Sequence, residues 1–93
     1  MKIDTIRKIV DRKLIGLNSE IYGECDIQLF GGGHGRTKKT ILLDKIIEKG
    51  TTTVFQGHTI NDGQVTNIDI NDIDTLEGMD WHKFALAYNL VKK

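Results

Sequence analysis

The stretch TTTVFQGHTINDGQVTNIDI, residues 51–70, decides the fold that we predict for this chain. Its first six residues are mostly β-branched or aromatic, and such side chains favour β-strands. The sequence Asn-Asp-Gly at positions 61–63 is typical of a tight turn, and apolar and polar residues alternate from Val65 to Ile70. The stretch therefore predicts an antiparallel hairpin in which Ile68 and Ile70 point inward.

Apolar residues recur at helical spacing at both ends of the chain. From Ile3 to Leu17 they lie three or four positions apart, and we expect this first helix to end at Gly16. Near the C-terminus, a similar apolar stripe occupies positions 81, 84, 85, 88 and 91. Asp80 directly precedes that stripe and is a good N-cap, because its carboxylate accepts hydrogen bonds from the first free N–H groups. The pattern predicts a closing helix after Asp80.

The segment 40–49 fits two secondary structures. A helical stripe is formed by Leu42, Leu43, Ile46 and Ile47, and Gly50 stands where a helix often ends. Positions 41, 43, 45 and 47 also alternate as they would in a strand. We favour a short helix, since the charged residues of the segment would then share one solvated face.

Before this segment, residues 24–30 alternate as a strand, with Cys25, Ile27 and Leu29 on its apolar side. Cys25 is most simply a small buried hydrophobic residue there. The elements then follow the order α-β-α-β-β-α. We therefore predict an α+β fold, a small antiparallel sheet of about three strands with helices packed on one face. A chain of 93 residues supports a single domain, residues 1–93.

Composition limits the function classes. The sequence balances 13 basic against 13 acidic residues, and this net charge of zero disfavours generic duplex-DNA binding, which depends on many phosphate contacts. A lone cysteine cannot form an internal disulfide, and no apolar run approaches the roughly 20 residues that span a membrane. We expect a cytoplasmic protein that does not insert into membranes. The three histidines lie far apart and no Cys-x-x-Cys pair occurs, so neither a metal nor a cofactor is expected.

The most distinctive stretch is GGGHGRTKK, residues 31–39, which combines glycines with basic residues. It lacks the glycine spacing of a nucleotide-binding P-loop, and a flexible connector is the ordinary interpretation of such a stretch. Bare amides followed by basic side chains also suit a phosphate, above all if a helix begins next. An exposed Tyr22 would add a ring for stacking on a base. The predicted ligand-binding residues are Gly33, His34, Gly35, Arg36, Thr37, Lys38 and Lys39.

A second candidate surface is acidic. Residues 61–80 hold six acidic groups and no basic ones. The run lacks the glycine and the final carboxylate of an EF-hand calcium loop, and a strand with a polar outer row explains it more simply. Its functional interpretation is a surface, residues 62–80, that binds a basic partner protein. Asp69 and Asp72 are the predicted partner-binding residues.

The sequence contains neither paired catalytic groups nor a nucleophile motif, so we expect no enzyme. In its shortness, its richness in Ile, Lys, Asn and Asp and its lack of proline, the chain is similar to accessory proteins of phages and mobile elements. Such proteins commonly act by binding, for example by inhibiting a host or defence protein. We predict a small binding or regulatory protein for a nucleotide or a nucleic-acid backbone. Inhibition of a host protein through residues 62–80 is the alternative, and uncovered sheet edges favour a homo-oligomer.

Overall fold

The computed structural model describes residues 2–28 and 30–91, which form one six-stranded antiparallel sheet with two short helices. In chain order the elements are α1 (Lys2–Asp11), β1 (Glu20–Gln28), β2 (His34–Lys49), β3 (Thr52–Thr59), β4 (Val65–Asp69), a short 3-10 helix (Ile70–Asp72), β5 (Ile73–Leu76), β6 (Met79–Asp80) and α2 (Trp81–Ala87). Within the sheet the strands lie in the order β4-β3-β2-β1-β5-β6. Leu29, which the alternation assigned to the apolar side of β1, lies outside the described residues.

The predicted three-strand sheet with helices packed on one face, in the order α-β-α-β-β-α, is wrong. The main error is the segment 40–49, which belongs to the long strand β2 and not to a helix. A bulge between Leu43 and Lys45 explains the misleading pattern, because β2 changes phase there. Ile46 instead of Lys45 then lies on the same side as Leu43. A strand with one phase shift can therefore have apolar residues at the spacing that is typical of a helix.

The predicted hairpin is confirmed. β3 and β4 pair in a register that places Phe55 opposite Ile68, and both side chains are fully buried. In the turn between them, the Asp62 carboxylate accepts hydrogen bonds from the Thr59 hydroxyl and the Gln64 N–H. These bonds, the one from Thr59 first, hold the pKa of Asp62 below its ordinary value. The turn is therefore fixed by its own side chains.

Both terminal helices are confirmed, although each is shorter than its apolar stripe: α1 ends at Asp11 and not at Gly16, and α2 ends at Ala87, before stripe positions 88 and 91. Ile6 and Ile9 are fully buried on the inner side of α1. α2 begins after Asp80, whose carboxylate accepts a hydrogen bond from the N–H two positions further on, as an N-cap does. Within residues 2–28 and 30–91, neither helix is long and apolar enough to cross a membrane.

The sheet is curled, so that β4, at one edge, comes close to β1, which is three strands away. Two glycines permit the close backbone approaches that the curl requires. At Gly57 in β3, a Cβ would overlap the carbonyl oxygen of Leu42, and at Gly23 in β1 it would overlap that of Asp72. Strands β1 to β5 and both helices contribute buried apolar residues to one shared core.

β1 and β2 continue beyond their outer neighbours as a two-stranded arm. β3 pairs with β2 only from Ile41 onward, and β5 pairs with β1 only as far as Gly23. Within the described part of the chain, residues 24–28 and 34–40 therefore form ladder pairs only between β1 and β2. We call these two segments the arm. It carries most of the predicted ligand-binding residues.

Candidate functional site

The glycine-rich stretch forms the turn at the tip of the arm and the first residues of β2. Gly31 and Gly32 have φ values of 91° and 92°, a backbone conformation that favours glycine and reverses the chain between β1 and β2. Gly33 leads into β2, and the residues from His34 to Lys39 are extended and paired with β1. A strand thus follows the glycines where we expected the N-terminus of a helix.

Alternation along β2 places the predicted ligand-binding residues on opposite sides of the arm. Arg36 and Lys38 project from the outer side, where the acidic residues of β1 also lie. Thr37 and Lys39 project from the inner side, the side of the buried Cys25. The basic side chains of the stretch therefore do not converge on one point.

Arg36 is surrounded by three carboxylates. Its Nε lies 3.2 Å from both Glu24 Oε1 and Asp26 Oδ1, and its Nη2 lies 2.5 Å from Asp72 Oδ2. The hydrogen bond to Asp72 contributes most to raising the pKa of Arg36 above its ordinary value. Arg36 joins β2 to β1 and to the segment before β5, so its charge is already balanced within the protein.

Lys38 is paired in the same way. Its Nζ lies 3.0 Å from Asp74 Oδ2 in β5, and this hydrogen bond is the main reason that the pKa of Lys38 is raised. Asp74 belongs to the acidic segment, as Asp72 does. The basic stretch and the acidic segment, which the sequence presents as two separate surfaces, thus neutralise each other across β1.

Lys39 is the half-buried cation on the inner side of the arm. In the described part of the chain it has neither an ion pair nor a side-chain hydrogen bond. It borders two openings. The first, which we call the notch, has a volume of about 370 Å³ and lies between β2 and the turn that joins β3 to β4. The second, which we call the mouth, has a volume of about 780 Å³ and lies between the arm and β4.

Aromatic, basic and amide-bearing residues line the notch. Its size falls within the range of small-molecule pockets, roughly 300–1,000 Å³. The sequence predicts Lys38 and Lys39 as ligand-binding residues but does not connect them with Tyr22 or the β3–β4 turn. Only strand pairing brings these segments together, and no local sequence signal indicates it. The lining residues are Tyr22, Lys38, Lys39, Thr40, Thr59, Ile60, Asn61 and Asp62.

The backbone of β2 also presents unpaired groups at the arm. The Leu43 N–H donates to the Ser19 carbonyl oxygen at 2.9 Å, and the register runs without a shift from there to the tip. Odd-numbered residues of β2 from 35 to 43 therefore bond to β1, and the N–H and C=O groups of residues 34, 36 and 38 point away from it. β3 ends before it reaches them, and no backbone bond to a described residue uses them. We call residues 34–38 the free edge of β2.

The predicted partner-binding residues lie beside the arm. Asp72 pairs with Arg36, as described above. Asp69 Oδ1 accepts hydrogen bonds from the backbone N–H and the side-chain amide of Asn71, both at 2.9 Å, and so caps the 3-10 helix. The two aspartates and two carboxylates of β1 border a pocket of about 210 Å³, which we call the acidic pocket. Their role in partner binding stays a prediction, as does the ligand role of residues 33–39.

Metal and thiol chemistry find little support in the described structure. Among residues 2–28 and 30–91, no three side chains of histidine, cysteine, aspartate or glutamate are placed to hold a metal ion. Cys25 is only 2% exposed, and this burial raises the pKa of its thiol, while the charge of Lys39 acts in the opposite direction. A reactive thiolate needs accessible, electropositive surroundings, so Cys25 serves as a core residue.

No protein-family model matches the chain, and neither a curated protein nor a solved structure matches it.

Proposed function

We propose that this protein is a small non-enzymatic binding protein whose notch holds a phosphate-bearing ligand. One observation carries the proposal: Lys39, a half-buried cation without an ion pair in the described structure, borders an opening of about 370 Å³. Charged hydrogen bonds from ammonium groups to phosphate oxygens are short and strong. An unpaired lysine at such an opening is therefore suited to an anion.

Other groups at the notch complement Lys39. The Lys38 N–H belongs to the free edge, and the Thr40 hydroxyl lines the notch. Asp62 is the acidic residue of the lining. Its carboxylate accepts hydrogen bonds from its own turn, and the charge of Lys39 contributes less than these bonds do to lowering its pKa. Tyr22 supplies an aromatic surface on which a base would stack. This combination favours a phosphate that is joined to a larger group, as in a nucleotide or a nucleic-acid backbone, over inorganic phosphate alone.

A direct test uses inorganic pyrophosphate as the probe and isothermal titration calorimetry as the measurement. The Lys39→Met variant keeps an unbranched side chain without the charge, and we expect it to lose about tenfold in affinity, which equals about 1.4 kcal/mol. Lys45→Met is the matched control, because Lys45 lies on the same strand, is exposed and borders neither opening. Equal affinities for the two variants, or no binding to the unmodified protein, would overturn the proposal.

A second candidate function is binding of a basic partner at the acidic pocket. The supporting observation is that Glu24, Asp26, Asp69 and Asp72 border this pocket and face a single arginine, Arg36. An excess of negative charge favours the approach of a cationic segment. Titration with an oligolysine peptide tests it: Asp69→Asn should weaken binding, whereas Asp44→Asn, which changes an exposed aspartate outside the pocket, should not. Equal effects of the two substitutions would eliminate this candidate.

The cellular setting is part of the same proposal. We propose a cytoplasmic accessory protein of a phage or mobile element that inhibits or regulates a host component. The composition supports this setting, and the lone, buried cysteine suits a reducing compartment. Growth of a host that expresses the protein, compared with the Lys39→Met variant, tests it. Identical growth with both, at equal protein levels, counts against a host-directed role of the notch.

A further inference from the structure

We infer that the phosphate at the notch is presented by an extended segment of a partner polypeptide, which adds as a strand to the free edge of β2. The inference rests on the proposed phosphate site and names the class of partner that this site takes. In this arrangement the partner's backbone pairs with residues 34–38, and a phosphorylated side chain of the same segment reaches Lys39.

The backbone of the free edge has N–H and C=O groups that no described residue pairs with. Residues 34, 36 and 38 direct their N–H and C=O groups away from β1, and β3 stops at Thr59, opposite Ile41. All three residues have exposed side chains, so their edge is open to a partner. Recognition by strand addition uses such a row, since main-chain hydrogen bonds supply affinity and alternate side chains supply specificity.

The free edge has open space on both of its sides. Side chains of an added strand alternate between the two faces of a sheet. Along the free edge, the notch opens beside Lys38 and the mouth opens beside Thr37, while Lys39 borders both openings. Successive side chains of an added strand therefore have room on either side. One placed near the end of the edge comes within reach of the Lys39 ammonium.

The basic side chains along the edge favour an anionic strand over a second copy of this chain. The edge segment from His34 to Lys39 contains basic residues and no acidic ones. Two copies paired antiparallel along this edge would bring basic side chains opposite each other, which is destabilising. Lysines on exposed edges also deter such self-association. A strand that carries negative charge avoids this repulsion, and because carboxylates of this chain already pair with Arg36 and Lys38, its attraction is mainly to Lys39.

A phosphorylated residue fits the notch better than a carboxylate does. A phosphorylated side chain carries a charge of about −1.5 to −2 at neutral pH and has three strong acceptor oxygens. Three residues that line the notch carry donor side chains: Lys39, Thr40 and Asn61. Lys38 already shares its charge with Asp74, so Lys39 provides the main attraction. A doubly charged group uses more of these donors than a carboxylate can.

The experiment uses short peptides of alternating threonine and valine, with a central phosphoserine, serine or glutamate. We expect the phosphoserine peptide to bind at least about tenfold more tightly than the other two and than inorganic pyrophosphate. NMR shifts of the backbone amides should concentrate at residues 34–38. Two N-methylated phosphopeptides, each blocked at alternate amides, then probe the pairing. Because an added strand turns only every second N–H toward β2, one blocked peptide should lose the gain and the other should keep it.

A protein variant separates this inference from the proposed function. His34→Pro removes an N–H from the end of the free edge that lies farthest from the notch, at the first residue of a strand, where proline is tolerated. His34→Pro should lower the affinity for the phosphopeptide several-fold and leave the affinity for pyrophosphate unchanged, whereas His34→Ala should change neither affinity.

If His34→Pro has no effect, or both blocked peptides bind equally, strand addition is wrong while the phosphate site stands. If the glutamate peptide binds equally well, the phosphorylated partner is wrong. If no phosphate compound binds, both proposals fail.

Discussion

Arg36 and Asp72 lie 36 positions apart in the sequence and form an ion pair in which Nη2 and Oδ2 are 2.5 Å apart. Arg36 belongs to the stretch predicted to bind a phosphate, and Asp72 to the segment predicted to bind a basic partner. The two candidate surfaces are therefore parts of one charge network that joins the arm to the rest of the sheet. What this network leaves available is Lys39 and the free edge of β2.

We expect the ion pair between Arg36 and Asp72 to make a small contribution to stability. Arg36→Met and Asp72→Asn should each lower the free energy of unfolding slightly, because both groups are partly exposed and water screens them. The double variant should lose less than the sum of the two, and this difference should shrink as salt is added. Urea denaturation of the four proteins at low and high salt measures it. Strictly additive losses at low salt would show that the pair is not coupled.

The curl of the sheet depends on Gly57. Gly57→Ala forces a methyl group against the carbonyl oxygen of Leu42, so we expect a loss of about 1–3 kcal/mol, as in an overpacked core. Gly16→Ala is the control, because no atom lies within 4 Å of its added methyl group and its φ is not positive. That variant should be neutral or slightly more stable. Comparable stability of the two variants would mean that β3 does not approach β2 in this way.

One phenylalanine lies in the core of the protein and another is exposed to water. Phe55 is fully buried opposite Ile68, whereas Phe30 at the tip of the arm is fully exposed. Phe55→Ala should cost about 3–5 kcal/mol, and Phe30→Ala should stay within about 0.5 kcal/mol of the unmodified protein. Thermal and chemical unfolding measure both. A large loss from Phe30→Ala would show that the tip packs against the body of the protein.

Because Cys25 is buried, we expect the stability of the protein to fall at alkaline pH. Burial raises the pKa of its thiol above the ordinary value of 9.0, so the folded state holds this proton more tightly than the unfolded state does. The resulting stability is complete below about pH 9 and is lost as the pH rises further. Between about pH 8 and about pH 10, the unmodified protein should lose more stability than Cys25→Ala. Parallel pH profiles would show that the thiol is as accessible in the folded protein as in the unfolded chain.

Sequence patterns identified the elements whose residues lie close together in the chain. The hairpin followed from β-branched residues around an Asn-Asp-Gly turn, and α2 followed from its apolar stripe and its Asp80 cap. In β2 the alternation was visible but was outweighed by a helical stripe that the bulge after Leu43 creates. A bulge costs little and has no fixed sequence signature, so local spacing did not reveal it.

The ion pairs around the candidate site could not be predicted from local sequence patterns. The sequence marks residues 31–39 as unusual, but it could not show that Arg36 and Lys38 are paired with Asp72 and Asp74. Those pairs depend on β5 returning to lie beside β1, a contact between distant parts of the chain. The availability of Lys39 follows from the same pairing, because alternation turns it to the opposite side of the arm.

Amide hydrogen exchange along β2, followed by NMR, most directly tests the claim that residues 34–38 are a free edge. The N–H groups of Thr37 and Lys39 bond to β1 and should exchange slowly, while those of Arg36 and Lys38 point to solvent and should exchange fast. Uniformly slow exchange from residue 36 to residue 39 would contradict the account, because it would indicate a helix or a covered strand. Uniformly fast exchange would contradict it as well, because the stretch would then be a loop.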